Sequence, residues 1–155
     1  MKRAMLATAL AVIFITTRVS AGEKPSYAEL VRVEKLIAMA AAEGELLHFA
    51  HAMDRCIVLN MQVENLAGAN SDLKKRASAA TNSAYVLARN AYMALPGQTN
   101  DDVAETMMKT HQYIAEILVE QVNYNYATTG KHFESTPEIM EDLQACTAAI
   151  DAMGQ

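Results

Sequence analysis

The residues best placed to do chemistry lie between Gly44 and Gly68, where Glu45 and His48 stand three apart, His51 follows and Cys56 lies beyond. A carboxylate and an imidazole at that spacing share one face of a helix and can ligate a metal together. Carboxylate-bridged metal bundles need such an E-x-x-H pair from each of two helices and a Glu from each of two more. The sequence holds no second E-x-x-H. On a helical wheel His48 and His51 fall with Arg55 and Gln62 on a narrow polar arc, and a guanidinium one turn from His51 repels a cation. Two solvated histidines and no metal site are therefore expected here.

His111 sits at the edge of an apolar stripe, near Ala104, Ala115 and Val122. A half-buried imidazole could act as a base or, with a methionine, ligate haem. No C-x-x-C-H occurs, which excludes covalent haem, and methionine at helical spacing is more often core filler. No cofactor is expected. Nucleophilic and phosphate chemistry find no footing either. The chain has no G-x-S-x-G, no H-E-x-x-H and no glycine-rich phosphate loop. The expectation is a protein that is not an enzyme.

The compartment is legible at the N-terminus. Lys2 and Arg3 precede an apolar run from Met5 to Ile15, and Val19-Ser20-Ala21 places small residues where a signal peptidase reads. Residues 1–21 read as a secretory signal and 22–155 as one domain. Of the 155 residues 13 are basic and 18 acidic; without Lys2, Arg3 and Arg18 the balance is 10 to 18, a formal charge of −8. Such a surface repels nucleic acid and anionic membrane. Two cysteines in an oxidising compartment, Cys56 and Cys146, read as one disulfide.

The elements that must position these residues are all helices. Ala, Leu, Met, Glu and Gln abound, and no alternating strand pattern occurs. Ser26-x-x-Glu29 is a capping box. Gly44 alone is a poor helix–helix turn, so a single helix is expected over 26–66, with a kink at Gly44 allowed. Unbroken it would reach about 60 Å, long enough to project and pair with a second copy. Further helices are expected over 72–95 and from an Asn100 cap up to a loop at 128–135. Thr136-Pro137-Glu138 then opens the last one. The fold class is thus an all-α antiparallel bundle of four main helices with one disulfide, in which Cys146 docks the last helix over Cys56.

Tyrosine supplies the remaining signal. Tyr113 and Tyr124 share a helix flank, and Tyr126 and Phe133 run into the following loop. An apolar body with a polar tip suits a protein interface. These four residues are the expected partner contacts of an exported, non-catalytic protein that binds another protein in the periplasm, of inhibitor, immunity or secretion-accessory type. The alternative is a metal- or haem-binding bundle.

Overall fold

A computed structural model describes residues 26–69 and 71–153. The expected export signal, residues 1–21, lies outside the described residues. The Ser26–Glu29 capping box forms, with the Ser26 N–H donating to the Glu29 carboxylate at 2.6 Å. It opens only a short 3-10 turn, Tyr27–Glu29, because tertiary contacts claim the residues of this turn and those just beyond it. Tyr27 is drawn into the core, Leu30 and Arg32 are extended, and the first α-helix starts at Val33.

The described residues then form five α-helices, not the four expected. They are α1 (Val33–Glu43), α2 (Leu46–Leu66), α3 (Asp72–Met93), α4 (Asn100–Thr129) and α5 (Pro137–Met153). The expected long helix over 26–66 is overturned at Gly44. This residue takes the left-handed conformation, φ 69° and ψ 18°, and its N–H closes α1 onto the Ala40 carbonyl at 2.9 Å. Glu45 is then extended, φ −90° and ψ 103°. Two successive non-helical residues, the first in a region that glycine enters at no steric cost, end one helix and re-aim the next. Helix α1 therefore folds back onto α2 and α5. The projecting rod on which the homodimer expectation rested is absent from the described residues.

The other punctuation obeys local chemistry. The Ser71 hydroxyl caps α3 by accepting from the Lys74 N–H at 3.1 Å. Thr99 caps α4 in a reciprocal pair with Asp102, one residue before the expected Asn100. Helix α4 runs on into the expected loop and stops at a left-handed Gly130. Helix α5 begins at Pro137, where a fixed φ and a missing N–H cost nothing.

Helix α2 is the axis of the molecule. It packs against each of the other four helices, and residues 52–59 are buried without interruption. Ala77, Ala84, Ala88 and Ala91 of α3 are buried small residues that let that helix approach closely. The Cys56–Cys146 disulfide ties α2 to α5, with both residues fully buried and Cα atoms 5.4 Å apart. A bridge closing a loop of 90 residues stabilises by about 4–5 kcal/mol on the chain-entropy argument. No helix among the described residues is long and apolar enough to cross a membrane.

Candidate metal corner

The break at Gly44 makes the site. Glu43 and His48 are five apart, about 140° round an unbroken helix, on different faces. With Gly44 left-handed and Glu45 extended, the last residue of α1 comes beside the first turn of α2. The His48 Nδ1 then lies 3.5 Å from a carboxylate oxygen of Glu43 and 3.5 Å from one of Glu45. That nitrogen is buried and hydrogen-bonded to nothing, although the ring is 20% exposed and both glutamates are open to solvent. All three donor atoms lie within 4.8 Å of one another, and this is the one such group of three among the described residues.

These distances suit an ion better than a proton. A tetrahedral ion with bonds of about 2.1 Å to nitrogen and oxygen holds its ligand atoms about 3.4 Å apart. Both His48–Glu separations are 3.5 Å, and the exposed glutamate side chains have room to close on a shared centre. One imidazole and two carboxylates favour a first-row divalent ion over magnesium or calcium, which take oxygen ligands. Two carboxylates and a neutral imidazole would cancel the charge of a divalent cation. The helix break also turns the E-x-x-H pair into E-G-E-x-x-H, so Glu43 is a candidate ligand that the wheel could not supply.

Arg55 does not oppose such an ion. Far from lying on a solvated arc, it is buried, its guanidinium donates to the Asp142 carboxylate at 3.2 Å, and it lies 5.5 Å from the centre of the Tyr27 ring. Asp142 is itself buried and fully engaged. It also accepts from the Tyr27 hydroxyl at 2.8 Å, Arg32 Nε at 2.9 Å and the Val33 N–H at 3.0 Å. Burial pushes the Tyr27 phenol far up, opposed by Arg55 and reinforced by Asp142. The charge expected to repel a metal is thus spent inside the protein.

A second buried carboxylate lies on α2. Asp54 accepts from the Tyr92 hydroxyl at 2.5 Å and sits 2.8 Å from His111 Nε2. Burial and then the nearby Asp54 charge raise the Tyr92 phenol. His111 is half-buried as expected, and the nitrogen facing inward belongs to this pair. His51 lies edge-on to Tyr92, with ring centres 6.2 Å apart, and is not a solvated residue. Burial lowers its pKa, against the attraction of Asp54. Sequence reasoning passed over Asp54 and Asp142. The available signal was position, since Asp142 falls between Ile139 and Cys146 on the buried stripe of α5.

The expected partner residues divide into two pairs. Tyr113 and Phe133 pack against the core. Tyr124 and Tyr126 are 65% and 55% exposed, and Tyr126 stacks on His132 with ring centres 4.4 Å apart. Asn125, between them, is buried instead. Its amide donates to the His132 carbonyl at 3.0 Å and to the Thr136 hydroxyl at 2.9 Å, which closes the loop into α5. No protein-family model, curated protein or solved structure matches this chain, so the chemistry of the corner is read from these side chains alone.

Proposed function

We propose that this is a non-catalytic helical protein that binds one first-row divalent metal ion at the Glu43–Glu45–His48 corner. The observation that carries this reading is the buried His48 Nδ1, without a hydrogen bond and 3.5 Å from two carboxylate oxygens. A buried polar nitrogen left unpaired costs free energy, and a shared cation would satisfy it together with both glutamates. The signal pattern at 1–21 and the disulfide support an exported protein working in the periplasm or outside the cell.

Zinc is the probe of choice, being free of redox chemistry. Equilibrium dialysis at pH 7.5 should find one zinc per chain. His48→Ala should abolish binding, and Glu43→Gln should weaken it at least tenfold. A chain that takes up no zinc at 1 mM, or a His48→Ala protein that binds as tightly as wild type, rules the site out.

A second reading, binding of a protein partner, is supported by the exposed Tyr124 and Tyr126 at the end of α4. Its test is a periplasmic pull-down in which changing either tyrosine to Ala weakens the captured partner.

A further inference from the structure

The candidate ligands straddle the part of α1 that the fold holds least. Val33 and Leu36 bury the first half of the helix, but residues 41–46 are exposed without exception. Gly44 has open space around it: a Cβ built there would meet nothing within 4 Å. The last turn of α1 carries no basic residue. The negative end of the helix therefore carries Glu43, with Glu45 two residues on, and no basic residue of its own. Carboxylates at that end of a helix are unfavourable, and a cation there is favourable. The N-terminal end is by contrast fixed to α5 through Asp142.

We propose that the metal ion is a clasp: by joining Glu43 on α1 to Glu45 and His48 on the α2 side, it orders the last turn of α1 and fixes the corner. This rests on the metal reading above and adds a consequence to it. Binding to the ordered corner in preference to the frayed one shifts the population toward order by as much as the ion prefers that state. Occupancy of a surface site is then converted into the position of a helix end. Two of the three ligands, Glu45 and His48, stand on the same side of Gly44. Only Glu43 reaches across, so Glu43 carries the coupling.

Amide hydrogen exchange on the full chain tests this. Saturating zinc should slow exchange of the amides from Ala41 to Gly44, at the exposed helix end, at least tenfold. The Gly44 N–H, bonded to the Ala40 carbonyl at 2.9 Å, is the most direct reporter. Glu43→Gln, saturated at higher zinc and checked for occupancy by dialysis, should keep the ion and lose the slowing. One bound zinc with exchange unchanged in the wild type overturns the clasp and leaves the metal site standing. Slowing that persists in saturated Glu43→Gln also overturns it. No bound zinc overturns both proposals.

Discussion

The two ends of α1 are built from the same chemistry and finished in opposite ways. At its start, one buried carboxylate, Asp142, gathers Tyr27, Arg32, the Val33 N–H and Arg55 at 2.8–3.2 Å. At its finish, two exposed carboxylates share one ring nitrogen that hydrogen-bonds to neither. Asp142 balances its charge against two arginines and needs nothing more. Glu43 and Glu45 have only the imidazole between them, so the corner carries excess negative charge. Burial explains the difference. A carboxylate taken out of water must have its partners built into the fold, whereas an exposed one can be left for a ligand to complete.

The largest expected effect lies at the satisfied end. Asp142→Ala strands a buried guanidinium, a buried phenol and a helix N–H together. Breaking a buried pair by removing one member costs about 3–5 kcal/mol. Glu43→Gln in the presence of a chelator should change stability by less than about 0.5 kcal/mol, as exposed substitutions usually do. Urea denaturation of the three proteins measures both. If Glu43→Gln proves as costly as Asp142→Ala, the corner is part of the fold and not an incomplete site.

That contrast also explains what was readable in the chain. Helical content, the disulfide and the opening of α5 at Pro137 are set by composition and local spacing. The fifth helix is not, because one glycine permits a break without requiring it. What decides is tertiary. Asp142 claims Arg32 and the Val33 N–H, so α1 has a fixed start and must turn at Gly44 to lie along α2 and α5. The wheel failed at the histidines for the same reason. An arc holding Arg55, His48 and His51 looks solvated until a buried acid on another helix supplies the guanidinium with a partner. Long-range pairs such as Asp142 with Arg55 leave no mark in local periodicity.

His51 measures where one regime gives way to the other, since it lies one turn from His48 and one turn from Arg55. Burial lowers its pKa, Asp54 pulls the other way, and His48 and Arg55 add to the lowering. A histidine whose folded pKa lies below its unfolded value favours the native state while neutral. Its contribution is complete above about pH 6.5, the unfolded value, and is lost as pH falls through the lower folded value. Metal-free protein should therefore lose stability between pH 7.5 and 5, and His51→Gln should lose less over the same interval. Urea midpoints at the two pH values give the comparison. Identical slopes would place His51 in solvent, with the boundary further along α2 toward Arg55.

The smallest effect belongs to a residue that isolates what the carboxylates contribute. His132 Nδ1, like His48 Nδ1, is buried and hydrogen-bonded to nothing. Its neighbours are rings: Tyr126 stacked at 4.4 Å and Phe133 tilted at 6.5 Å. Glu134, the acidic residue nearest in sequence, is paired with Lys131. An unpartnered imidazole nitrogen without adjacent carboxylates has no charge to offer a cation and supplies a single ligand. Tyr126→Ala uncovers that nitrogen at the cost of one exposed aromatic stack, about 0.5–1 kcal/mol. The altered protein should still bind one zinc, at the corner, with unchanged affinity. A second zinc appearing at His132 would mean that an unpaired ring nitrogen suffices to capture the ion. The two glutamates would then owe their place beside His48 to the geometry of the turn and not to a cation.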